Sequence, residues 1–93
     1  MKPATLKPKL RVSTVEGFRI IRPDEAKPGT RVWYSPMVGR KPLFEAKLVG
    51  DGNLPCTYAL ELGEDYLAWR RGGVRVQRCI ASWAVLVKTR PAP

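Results

Sequence analysis

Breaks restrict what this chain can build more than its apolar content does. Nine prolines and eight glycines in 93 residues favour many turns and few long helices, because proline lacks a backbone donor and glycine loses the most freedom on ordering. The runs between these breaks alternate. Gly17 opens Phe18-Arg19-Ile20-Ile21-Arg22, where apolar and basic residues take turns until Ile21, and Pro23 with Asp24 closes it. Pro23 to Gly29 reads as a loop in which Asp24-Glu25-Ala26 holds at most one helical turn. Pro28-Gly29 turns into Thr30 to Ser35, where period two sets Val32 and Tyr34 on one face and Arg31, Trp33 and Ser35 on the other, before Pro36 stops the strand. Leu43 to Val49 points Phe44, Ala46 and Leu48 inward, with Glu45 and Lys47 outward.

Gly50-Asp51-Gly52-Asn53 is a strong turn signal, and Thr57 to Leu62 then places Tyr58, Leu60 and Leu62 on the core side with Thr57, Ala59 and Glu61 outward. Gly63-Glu64-Asp65 reads as another turn. Tyr66 to Arg71 and Val74 to Arg78 read as two strands joined by a Gly72-Gly73 hairpin, with a loop as the alternative for the first. In that hairpin Val74 and Val76 face the core, Arg75 and Gln77 face out, Arg71 lies at the tip, and Arg78 begins inward at the strand's end. Cys79 to Ser82 suits a single helical or 3₁₀ turn, and Trp83 to Lys88 a last strand. Five or six short strands predict an all-β fold, a small closed or nearly closed antiparallel barrel. Residues 10–90 form its single domain. Residues 1–9, with Lys2, Lys7 and Lys9 among two prolines, suit a flexible basic arm, and Arg90-Pro91-Ala92-Pro93 a frayed end.

The segments Gly29-Thr30-Arg31-Val32, Tyr34-Ser35, Leu43-Phe44-Glu45-Ala46-Lys47-Leu48-Val49 and Tyr58-Ala59-Leu60-Glu61-Leu62 together resemble the SH3-like barrels of the Tudor and KOW type. The likeness covers about residues 29–80. It implies an acidic turn at Gly63-Glu64-Asp65-Tyr66, a closing 3₁₀ turn near Ile80, and a binding module whose loops and open face hold nucleic acid, peptides or modified side chains. Trp33, Tyr66 and Trp69 would be the aromatics available to a Tudor-type cage, and the Gly-rich KOW loop has no clear counterpart.

Charge narrows the class of partner. Lys and Arg outnumber Asp and Glu by 17 to 8, giving a net +9. The excess sits at the two ends: Met1 to Arg11 holds four basic residues and Tyr66 to Pro93 six, with no acid in either. A concentrated excess makes a directional field that draws polyanions. Histidine is absent, which removes the commonest general base and metal ligand together. Cys56 and Cys79 lack metal-ligand spacing and read as buried thiols of a reducing compartment, with a bridge between them as the alternative. No apolar run approaches the roughly 20 residues of a membrane span, and no signal-peptide segment begins the chain, so the expectation is a cytoplasmic protein without membrane, metal or cofactor. Asp24-Glu25 and Glu64-Asp65 are adjacent turn pairs suited to capping, no phosphate loop is present, and enzymatic chemistry is not expected.

The candidate binding residues are Trp69, Arg70, Arg71, Arg75 and Arg78 around the Gly72-Gly73 tip, with Arg31 and Trp33 on the second strand and Arg40 and Lys41 in the loop after it. Arginine forks bind phosphate or guanine edges, glycine admits close backbone approach, and an exposed tryptophan stacks on bases. Each tryptophan has a second reading: Trp69 packed in the core, and Trp33 on a face that is covered. The leading expectation is non-catalytic binding of DNA or RNA. The alternatives are a protein-interaction or inhibitory module docking on an acidic protein surface, of the kind a mobile element carries, and a small oligomeric enzyme with a site at its central pore.

Overall fold

The computed structural model describes residues 15–89; the predicted arm (1–9) and the C-terminal end (90–93) lie outside the described residues. Six strands form one antiparallel sheet: β1 (Phe18–Ile20), β2 (Arg31–Tyr34), β3 (Phe44–Asp51), β4 (Thr57–Leu62), β5 (Val76–Ala81) and β6 (Val85–Lys88). A helix, α1 (Glu64–Arg70), joins β4 to β5, and 3₁₀ turns occupy Pro23–Glu25 and Ser82–Ala84. The strand order is β1-β6-β2-β3-β4-β5. Its pairing leaves β1 and β5 as edges, so the sheet does not close into the expected barrel. No described helix is long and apolar enough to cross a membrane.

Alternation in β2 and β3 works as the sequence implies. Val32, Phe44, Ala46 and Leu48 are buried and meet Leu60, Leu62, Ile80 and Val85 in the core. Each fully buried leucine or valine contributes about 1.5–3 kcal/mol. An exposed ion pair such as Arg31–Glu45, 2.9 Å apart, contributes about 0–1 kcal/mol. Packing therefore holds this fold, and the surface charges are available for other work.

Parity fails in β4 and β5, where the ladder is irregular. β3 pairs Leu48 with Leu60 and then Gly50 with Ala59, and β5 shifts register between Tyr58 and Leu60. Ala59, predicted to face out, sits between these two bulges and is fully buried. In β5 the register sets Gln77 opposite Leu60 and Val76 opposite Glu61. Val76 therefore lies outward, 37% exposed, and Val74, which precedes the strand, is 63% exposed; neither faces the core as predicted. The extra residues Arg78 and Cys79 fill the bulge on the exposed side, so Arg78 does not begin inward and Ile80 is the β5 residue that reaches the core. Cys79 on this edge strand and Cys56, in a turn at φ 60°, are exposed free thiols rather than buried ones. The 3₁₀ turn expected near Ile80 falls instead at Ser82–Ala84, and the last strand starts later, at Val85.

The back of the sheet carries a second, smaller apolar layer. Register sets Ile20, Leu86 and Trp33 in one row, and the Phe18 and Trp33 rings meet edge to face at 5.5 Å. Leu86 is 1% exposed there. β1 is tied down by a two-pronged ion pair, Arg19 to both Glu25 oxygens at 2.8 and 2.6 Å. The same carboxylate accepts the Arg22 N–H at 2.9 Å. These bonds, that from Arg19 foremost, lower the Glu25 pKa to about 2.

Candidate functional site

Tyr66 to Arg71 is not the first arm of a hairpin; its side chains fit a helix. Gly63 stands extended before the first turn, and Glu64 and Asp65 occupy that turn, where carboxylates favour the helix dipole. Tyr66 and Trp69 are three residues apart and Tyr66 and Arg70 four, so all three share a helical face. Tyr66 is 1% exposed, and its buried hydroxyl accepts a hydrogen bond from the Arg70 guanidinium at 2.8 Å. The helix thereby delivers Trp69 to a ring cluster with Phe44 (5.3 Å) and Tyr66 (6.0 Å). Phe44 and Tyr34 in turn contact Tyr66 at 5.4 and 5.6 Å. Burial raises the Tyr34 pKa, with the Tyr66 phenol adding and Arg70 opposing. Trp69 keeps 46% of its surface exposed. Both readings of this residue are thus partly realised: it packs against rings and keeps about half of its surface open.

Gly72-Gly73 is a helix stop rather than a hairpin tip. The Gly72 N–H bonds to Leu67 O (2.8 Å) and the Arg71 N–H to Ala68 O (3.2 Å), a Schellman closure. Arg71 itself takes the left-handed position, φ 64° and ψ 52°, followed by Gly72 and Gly73 at φ 102° and 117°. A left-handed backbone costs a non-glycine residue about 1–2 kcal/mol. No described ion pair or side-chain hydrogen bond offsets that cost for Arg71.

The β2–β3 loop leaves from Tyr34 and returns at Phe44, both members of the ring cluster, and carries Arg40 and Lys41. Ser35 fixes this loop from inside. It is fully buried, and its hydroxyl donates to Arg40 O and accepts the Gly39 N–H, both at 3.1 Å. Met37 and Val38, 53% and 39% exposed, line the outside of the same loop. Among the described residues, Arg40, Lys41, Arg70 and Arg71 have no carboxylate within ion-pair distance.

The other predicted residues lie elsewhere. Arg31 pairs with Glu45, and Arg75 with Glu64 at 2.6 Å. Both line an open cleft of about 660 Å³ on the outer face of β2, β3 and β4, shared with Lys47, Glu45, Glu61 and Asp65. Cations and carboxylates balance there. Trp33 is half-buried in the back layer, with the Lys88 ammonium 5.2 Å above its ring, and Arg78 stands on the β5 edge. The nine predicted residues thus separate into Trp69, Arg70 and Arg71 at the end of α1, Arg40 and Lys41 in the β2–β3 loop, a neutral cleft and two outliers. Among the described residues no three of His, Cys, Asp and Glu gather as a metal site.

The chain matches no protein-family model, no curated protein and no solved structure. The supporting residues Tyr34, Phe44 and Ser35 were not anticipated as part of a site. The i, i+3, i+4 spacing of Tyr66, Trp69 and Arg70 behind Gly63 is the sequence signal that would have found the helix.

Proposed function

We infer that this protein is a non-catalytic nucleic-acid-binding module whose interface is the end of α1 together with the β2–β3 loop. The observation that carries this is that α1 and the loop leading to Phe44 hold four cations without carboxylate partners, Arg40, Lys41, Arg70 and Arg71, while Trp69, which packs on Phe44, is half exposed. Guanidinium and ammonium groups left unpaired keep their charge for phosphate, and a net +9 steers a polyanion toward the molecule. An SH3-like architecture is the companion reading. A 3₁₀ turn directly before the last strand and the return of β6 to pair with β2 support it.

The test is binding of labelled DNA and RNA at two salt concentrations. If three or four of these cations each meet a phosphate, affinity falls roughly 40- to 150-fold on duplex DNA, and roughly 20- to 50-fold on a single strand, between about 50 and 200 mM salt. Absence of binding at the lower salt refutes the reading. The exposed Met37 and Val38 beside the cations favour a second reading, docking on an acidic protein surface, which survives that negative result.

A further inference from the structure

Resting on the nucleic-acid reading, we propose that Trp69 is a stacking platform for an unpaired base, so that the ligand is single-stranded. Three features of the α1 end carry this. First, the indole is held but not covered: Phe44 and Tyr66 fix it at 5.3 and 6.0 Å while 46% of it remains open. A ring already immobilised loses little rotamer freedom when a base lands on it. Second, the chain beyond it offers room for a strand. Nothing lies within 4 Å of a Cβ placed on Gly72, and only the Arg70 side chain, at 3.9 Å, lies near one on Gly73, so a sugar-phosphate backbone can approach the main chain.

Third, cations belong to both elements that meet at the ring. Arg70 donates to Tyr66 Oη at 2.8 Å, Arg71 follows it directly, and Arg40 and Lys41 belong to the loop that ends at Phe44, whose ring lies 5.3 Å from Trp69. A paired base presents its faces only to its stacked neighbours, and reaching it requires unstacking. An unpaired base offers its face at once, whatever its identity. The site therefore selects strandedness and not sequence.

The experiment compares fluorescence anisotropy of the full chain with labelled oligothymidylate of about 12 nucleotides, the corresponding duplex, and an abasic strand of the same length and charge. The single strand is expected to bind at least about tenfold more tightly than either comparator at equal salt. Trp69→Leu should weaken it roughly 5- to 150-fold and leave abasic binding unchanged, whereas Trp69→Phe retains part of the affinity. Because the abasic and duplex measurements use the unaltered protein, loss of folding in Trp69→Leu cannot obscure the outcome. Equal affinity for the abasic and thymidine strands, or for duplex and single strand, overturns the stacking proposal and leaves polyanion binding intact. No binding to any of the three overturns both.

Discussion

Arg71→Gly separates the residue's role in the fold from its role on the surface, because the two are expected to change in opposite directions. In the folded state Arg71 stands at φ 64°, which costs an L-residue about 1–2 kcal/mol and glycine nothing. Glycine adds freedom to the unfolded chain that removes about 0.5–1 kcal/mol of that gain. From the middle of each range, the net is a stabilisation of about 0.75 kcal/mol. For a domain of this size each kcal/mol moves the melting temperature by about 4–8 °C, so calorimetry should register a rise of about 3–6 °C. Arg71→Ala keeps the strain and removes the charge, and should show no such rise. In binding, both variants lose one phosphate contact, and the slope of log affinity against log salt should shrink by about 0.7 on a single strand. A lower melting temperature for Arg71→Gly would refute the strain argument, and an unchanged salt slope in both variants would remove Arg71 from the interface.

Gly52→Ala should cost about 1–3 kcal/mol by overpacking, since a Cβ there would stand 2.5 Å from Arg78 O and closer still to Thr57 Oγ1; an unchanged melting temperature would show that the β3–β4 turn yields freely. Glu25 has its pKa lowered from 4.5 to about 2 in the folded protein, so its pairing with Arg19 stabilises β1 fully above the unfolded value and is lost as pH falls toward the folded one. Melting temperatures measured across that window should drop more steeply for the parent than for Glu25→Gln, and parallel curves would count against the pairing. Arg31→Ala and Arg75→Ala each remove a surface ion pair of about 0–1 kcal/mol and should leave nucleic-acid affinity unchanged; a loss comparable to that of Arg71→Ala would move the interface to the outer cleft. Cys56 and Cys79 are exposed, so both should react with a thiol reagent in the native protein without denaturant, and protection of either would contradict its placement.

Strand content was legible because the relevant signals are local. Val32 beside Trp33, and Phe44, Ala46 and Leu48 in strict alternation, carry their own register, and Pro36 ends β2 as its missing donor requires. What could not be read depends on partners distant in the chain. The outward turn of Val76 is set by Glu61 across the ladder, and the burial of Ala59 by a bulge on each neighbouring strand. Neither leaves a mark on the period-two pattern of its own segment. The helix is a different case. Residues 64–70 contain an acidic first turn, a basic end and an apolar i, i+3 pair, but seven residues are too few for propensity alone to outweigh the adjacent Gly72-Gly73, which resembles a hairpin signal. Burial of Tyr66 against Phe44 and Tyr34 decides between them, in keeping with the rule that short helices owe their stability to tertiary packing.

The site was partly legible for a related reason. In sequence, Arg70, Arg71 and Arg75 surround the Gly72-Gly73 turn signal, in a stretch from Tyr66 onward that carries no acid. In three dimensions Glu64, just before that stretch, reaches Arg75, and Glu45 reaches Arg31. Linear charge therefore overstates the field on the sheet face and says nothing of where the remainder goes. Among the described residues, Arg40, Lys41, Arg70 and Arg71 keep no carboxylate partner, and neither do Arg78 and Lys88, the latter 5.2 Å above the Trp33 ring. Glu45, Glu61 and Asp65 cancel the cations of the outer cleft, so that face offers a polyanion little net attraction. Under the proposed function these carboxylates disfavour the sheet face as a basic surface and bias a polyanion toward the cations that remain unpaired.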